Sequence, residues 1–141
     1  MNKFCLTDTC FWLGLVDPAD QYNCLSLTIA DLIKDNNIII PWPCLYETIS
    51  THLIRRRERL LYLEEIISKP NIILLEDSEY KNEAFNQVFQ YNLTKGFTFS
   101  LTDCVIREIL KDTNLKVHYL VTYNECDFID LCNKREIEII N

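Results

Sequence analysis

Glycine and proline are scarce in this chain of 141 residues, two of the one and four of the other, which excludes collagen-like, loop-rich and linker-type architectures. Gly14 and Gly96 stand alone, so the Gly-rich turn of a dinucleotide-binding enzyme is missing. Apolar runs are short. The longest, Ile38-Ile39-Ile40 and Ile72-Ile73-Leu74-Leu75, are strand-sized and fall far below the roughly 18 residues of a membrane helix. The first residues lack a basic segment followed by a long apolar stretch, and Asp8 interrupts the only hydrophobic opening. A secretory signal is therefore not expected, and a cytoplasmic location with no membrane partner is. Histidine is limited to His52 and His118, and the seven cysteines include no close C-x-x-C pair, so a zinc cage is not expected. The cysteines read instead as small buried hydrophobes of a reducing compartment. Positive charge is also in deficit: 14 basic against 21 acidic residues give −7, which argues against general adhesion to DNA or anionic membranes and leaves nucleic-acid contact to local features. A phosphatase with an aspartyl nucleophile would want a second aspartate where Cys10 stands, and no nucleophile turn for serine or cysteine chemistry is recognisable.

What the chain does contain is the composition of one folded domain spanning 1–141, with 48% hydrophobic and 25% charged residues. Residues 4–7 read as a short buried strand with Asp8 at its end. Asp17-Pro18 resembles a capped helix start, and Tyr22, Leu25, Ile29, Leu32 and Ile33 recur at helical spacing, predicting a helix over 18–35. Ile38-Ile39-Ile40 form a second strand, and Pro41-Trp42-Pro43 open a helix carrying Glu47. A charged, Leu-rich helix is predicted over 52–69, stopped by Pro70, then a strand over 71–75 and a helix over 79–94 closed by Lys95-Gly96. Ser100 with Asp103 three positions on is a helix-start pattern, placing Asp103 in the first turn of a helix running to about Asp112. A strand over 117–122, a helix over 127–134 and a strand over 136–140 complete the chain. Near-continuous apolar strands alternating with helices predict an α/β fold in three layers, α/β/α, with a central, mostly parallel five-stranded sheet.

In such sheets ligands bind beyond the carboxyl ends of the strands, where strand order reverses. Asp8, Glu47, Asp103, Asn124 and Asp127 fall at strand ends or helix starts. If several of these carboxylates gather, their repulsion raises proton affinity unless a cation neutralises them. Oxygen ligands without cysteine or histidine partners select Mg²⁺ or Mn²⁺.

These residues resemble the PIN-domain nucleases, and by size the VapC-type toxins of bacterial toxin–antitoxin pairs. The resemblance spans essentially the whole chain. It rests on Leu6-Thr7-Asp8-Thr9, on Tyr46-Glu47 after Pro41-Trp42-Pro43, on Ser100-Leu101-Thr102-Asp103-Cys104, and on Leu120-Val121-Thr122-Tyr123-Asn124 running into Asp127-Phe128. It implies that Asp8, Glu47 and Asp103 ligate the metal, with Thr9 and Thr122 as supporting hydroxyls. The family usually supplies another acid where this chain has Asn124, which keeps an oxygen but loses the charge. Asp127 restores that charge if its loop folds inward; its other reading is a helix cap.

The implied activity is metal-dependent endoribonuclease chemistry, hydrolysing an RNA phosphodiester by in-line attack of water. The implied partners are RNA, an antitoxin protein and a second copy of the chain. Arg55, Arg56 and Arg59 would occupy an arc of about 100° on a continuous helix. That side reads as a solvated face, an RNA guide or an antitoxin-docking surface. Phe11, Trp12, Trp42 and Tyr46 read as core or interface aromatics ahead of base-stacking platforms, and His52 is assigned no catalytic role. The rival reading, from another class, is a PIN-like binding or scaffold module with weakened hydrolysis. Asn124 supports it; three acids kept together argue against it.

Overall fold

The computed structural model describes residues 2–141. Strand β1 (Phe4–Thr7) lies at the centre of a five-stranded sheet with β2 (Asn37–Pro41), β3 (Ile72–Leu75), β4 (Tyr119–Val121) and β5 (Glu138–Ile140). The order is β3-β2-β1-β4-β5 and every pairing is parallel. Cys5, Leu6 and Thr7 are all buried, as are Ile38, Ile39 and Ile40, so consecutive side chains pointing to opposite faces are both covered. This is why the central strands read as unbroken apolar runs. The expected layered sheet is present, and it is wholly parallel.

The helices are α1 (Thr9–Val16), α2 (Asn23–Ile33), α3 (Trp42–Thr48), α4 (Thr51–Ile54), α5 (Arg57–Ile67), α6 (Lys81–Phe89), α7 (Leu101–Lys111) and α8 (Ile129–Arg135). Helix α1 packs on α2, α3 and α5, while α7 packs on α6 and α8. No helix among the described residues is long and apolar enough to cross a membrane.

Several expected boundaries move, each for a physical reason. The helix expected over 18–35 begins only at Asn23, because Asp17 closes α1 and the intervening residues turn. The Asp17 carboxylate accepts from the Ala19 N–H at 2.9 Å, and that of Asp20 accepts from the Tyr22 N–H at 2.8 Å. Helix α1 itself has no sequence signature: its Thr-Cys-Phe-Trp-Leu-Gly-Leu-Val run is buried on nearly every side and so carries no amphipathic period. The helix expected over 52–69 breaks at Arg55 and Arg56 into α4 and α5. Leu53 of the first piece and Leu63 of the second are both buried in the core.

Helix α6 passes into a π-helical turn, Gln90–Thr94, before Gly96 takes φ +72°. Glu136 closes α8 in the left-handed region at φ 56°, so the last strand starts two residues later than the pattern suggested.

Candidate active site

The chain leaves β1 and runs to β2 and β3 on one side, then returns to β4 and β5 on the other. The order therefore reverses between β1 and β4, where Thr7 is in register with Val121. Asp8 and Thr122 are the next residues of these two strands. The Asp8 N–H donates to the Val121 carbonyl at 3.0 Å, extending the ladder by one rung. Below it, the Trp12 indole donates to Thr7 Oγ1 at 2.9 Å, and Thr7 Oγ1 donates to the Ile39 carbonyl at 2.8 Å. Trp12 and Phe11 are core residues, as expected, and fix the strand end that carries Asp8.

Asp8 is 4% exposed. It caps α1, with Oδ1 accepting from the Thr9 N–H at 2.7 Å and Oδ2 from the Thr122 hydroxyl at 2.8 Å. Thr122 Oγ1 in turn accepts from the Asn124 N–H at 3.0 Å. The adjacent Thr9 hydroxyl donates to Glu47 Oε1 at 2.6 Å, tying α3 to the start of α1. Glu47 sits near the end of α3, whose first turn contains Pro43, and is exposed on the mouth side. Asp103 is the third residue of α7 in a complete capping box: Ser100 Oγ accepts from the Asp103 N–H at 3.0 Å, and Asp103 Oδ2 accepts from the Ser100 N–H at 2.9 Å.

The electrostatics connect these elements. Burial pushes the Asp8 carboxyl up to about 6; the Thr122 and Thr9 hydrogen bonds oppose that shift and the charge of Asp103 adds to it. Asp127 is half-buried and also raised, first by burial and then by Asp103, with Arg107 opposing. Asp103 thus lies within Coulombic reach of both Asp8 and Asp127. The ion pairs of the described residues are Lys34–Asp31, Arg59–Asp17, Arg107–Asp130 and Lys111–Glu108, and none neutralises Asp8, Glu47, Asp103 or Asp127.

The donor set is carboxylate, amide and hydroxyl oxygen, the chemistry that suits Mg²⁺ or Mn²⁺. Even so, no three His, Cys, Asp or Glu side chains among the described residues gather closely enough to enclose an ion in this arrangement. Glu47 is held by Thr9 and Asp103 by its own capping box.

Other expected residues fall differently. Asn124 is exposed and opens a 3₁₀ turn, Glu125–Asp127. Asp127 is not a helix cap: Phe128 occupies that position on α8, with no side-chain cap. The arginine side does not form, because α4 and α5 are separate helices. Arg55 and Arg56 are exposed at the break, whereas Arg59 pairs with Asp17 at 3.2 Å. Tyr46 is 74% exposed beside Glu47, so it is not a core residue.

Sequence reasoning treated Cys10 as filler. Its Sγ lies 3.6 Å from Asp8 Oδ2 and accepts from the Tyr123 N–H at 3.4 Å, which places it in the wall of the site. Its position two residues after Asp8 on a helix start was the available signal. Burial, then the charge of Asp8, pushes its thiol up to about 12. Ser26 was missed as well; it shares a 2.6 Å hydrogen bond with Tyr123 and anchors the loop after β4.

No protein-family model and no curated protein sequence matches the chain. Solved structures do. VapC20 of Mycobacterium tuberculosis, described as a sarcin-ricin loop cleaving toxin, superposes with a TM-score of 0.70 at 13% identity, covering 89% of this chain and 94% of that one. VapBC2 of Rickettsia felis, bound to a DNA fragment from its promoter, gives a TM-score of 0.63 at 16% identity over 98% of both chains. FitAcB of Neisseria gonorrhoeae gives 0.63 at 16% identity, over 97% of this chain and 96% of that one.

Proposed function

We propose that this chain, which has the PIN fold of VapC structures, is a divalent-metal-dependent endoribonuclease and the toxin of a toxin–antitoxin pair. The observation that carries the reading is Asp8: a carboxylate buried at the strand-order reversal, repelled by Asp103, with no cationic side chain against it. A fold keeps such a group at a cost, and the cost is offset when a cation binds.

Asp8, Glu47 and Asp103 would hold the ion, joined by Asp127 in place of the acid that Asn124 lacks. When bound, Mg²⁺ or Mn²⁺ supplies Lewis-acid polarisation of the phosphodiester and acidifies a water for hydrolysis. The chain's own residues do the rest. The Thr9 hydroxyl and the Ser100 N–H hold Glu47 and Asp103 at hydrogen-bonding distance. Asp127, raised in proton affinity first by burial and then by Asp103, is a further carboxylate whose charge a bound cation would stabilise. Arg55 and Arg56, exposed at the α4–α5 break, supply local positive charge for the substrate backbone in a chain of net charge −7.

The partners that go with this reading are RNA, an antitoxin and a second copy of the chain, in a cytoplasmic setting. The test is RNA cleavage in Mn²⁺ with Asp103→Asn as control. Cleavage by the unsubstituted chain that is lost in the variant supports the assignment; cleavage that persists in the variant overturns it. That no three His, Cys, Asp or Glu side chains gather among the described residues favours a second reading, a binding module of the same fold. That reading requires RNA binding without turnover in both proteins.

A further inference from the structure

Arg107 is the one basic residue buried in the fold, 6% exposed on α7, a single helical turn beyond Asp103. Burying a guanidinium is expensive unless each donor finds a partner. Nη1 donates to the main-chain carbonyl of Asp127 at 2.7 Å, and Nη1 and Nη2 make a two-pronged contact with the Asp130 carboxylate at 2.9 and 2.8 Å. Two adjoining rings lie against the guanidinium, with Cζ 5.3 Å from the Tyr91 centroid and 5.0 Å from that of Phe99, the two centroids being 5.3 Å apart. Nε is buried without a partner, so the donors at the fork's far end are used while one remains unmet. Burial works to lower the proton affinity of Arg107, and the interactions with Asp130 and Tyr91 together outweigh it, so the group stays charged.

One side chain therefore joins three segments: the helix bearing Asp103, the π-turn and loop bearing Tyr91 and Phe99, and the 3₁₀ turn that ends at Asp127. No other side-chain hydrogen bond to the backbone of 125–128 is present among the described residues. We propose that Arg107 is a positioning residue, whose bond to the Asp127 carbonyl and anchorage on Asp130 set the Asp127 carboxylate beside Asp103 for cation binding. This rests on the proposed metal-dependent function and deepens it.

The sign of the effect separates positioning from simple charge. If Arg107 acted only as a nearby positive charge, its removal would tighten the binding of a divalent cation. If it positions Asp127, its removal weakens that binding, on the scale of 10- to 100-fold found for residues that orient ligands. The experiment is calorimetric titration of Mn²⁺ into the unsubstituted chain, Arg107→Met, Asp127→Asn and the double variant. Methionine keeps contact with the two rings without a charge. Arg107→Lys, which keeps the charge but not the fork, serves as the second variant if Arg107→Met does not fold.

The expected result is Mn²⁺ binding at least 10-fold weaker in Arg107→Met and in Arg107→Lys, with the double variant no weaker than Asp127→Asn alone. Unchanged or tighter binding in the Arg107 variants overturns the proposal, as do losses that multiply fully in the double variant. A lowered melting temperature with unchanged Mn²⁺ affinity marks a merely structural role and likewise overturns it. No Mn²⁺ binding by the unsubstituted chain overturns the metal-dependent function along with it.

Discussion

Replacing Asp8 with asparagine should stabilise the metal-free protein. The carboxyl is moved from 3.8 to about 6 by burial, against the help of its hydrogen bonds. A tenfold change in proton affinity is worth 1.36 kcal/mol, so the ionised form weakens the fold by about 3 kcal/mol at neutral pH. The folded carboxyl binds its proton more tightly than the unfolded one. Its contribution is therefore absent below about pH 4, where both states are protonated, and stability falls as pH rises from about 4 to 6. It then stays low. Asparagine fits the same contacts: its Oδ1 accepts from the Thr9 N–H, and its amide donates to Thr122 Oγ1 in place of accepting from it.

The assay is urea unfolding from pH 4 to 8 in chelator, for the native chain and Asp8→Asn. The advantage of the variant should grow from near zero at pH 4 to about 3 kcal/mol at pH 7. Adding Mn²⁺ should reverse the ranking once the ion is at a thousandfold excess over its dissociation constant, which adds about 4.1 kcal/mol to the state that binds it. A variant less stable than the native chain in chelator at pH 7, or a difference that does not vary with pH, would refute the account of Asp8. An equal gain from Mn²⁺ in both proteins would refute its assignment as a ligand.

Asp103→Asn keeps an oxygen for the Ser100 N–H, so its stability should stay within about 1 kcal/mol while RNA cleavage drops at least 100-fold, read by unfolding and gel assay together. Gly14→Ala would bring a methyl group to 2.5 Å from Ser26 Oγ at the α1–α2 contact; a loss of about 1–3 kcal/mol is expected, partly restored by Ser26→Gly, and measured as denaturation midpoints. With its thiol near 12, Cys10 should resist iodoacetamide at pH 8 while the exposed Cys24 and Cys126 react, and peptide mass spectrometry that finds Cys10 labelled as fast as Cys24 would contradict the burial argument. Arg55→Ala with Arg56→Ala should weaken RNA binding about equally for all sequences and flatten its salt dependence, whereas Arg59→Ala, whose partner is Asp17, should leave that slope unchanged.

Local chemistry wrote much of this architecture into the sequence. β-branched and aliphatic runs announced the strands, the Ser100–Asp103 pair announced the start of α7, and Asp8 fell where the central strand ends. Those features depend on a few neighbouring residues and can be read without the fold. Helix α1 could not, because a segment buried on nearly all sides has no polar face to give it a period. Nor could the break at Arg55 and Arg56, which no breaking residue marks.

The site divides in the same way. The candidate acids were visible as residue types. The anchoring of Glu47 came from a long-range partner, Thr9 across to α3, whereas Asp103 is held by the local cap of α7. The Asp127 carbonyl meets Arg107, 20 residues earlier in the chain, in a hydrogen bond no local pattern encodes. Sequence determined which groups were available, since that needs only composition and period; tertiary packing decided which of them meet, since distances between remote side chains exist only once the chain is closed on itself.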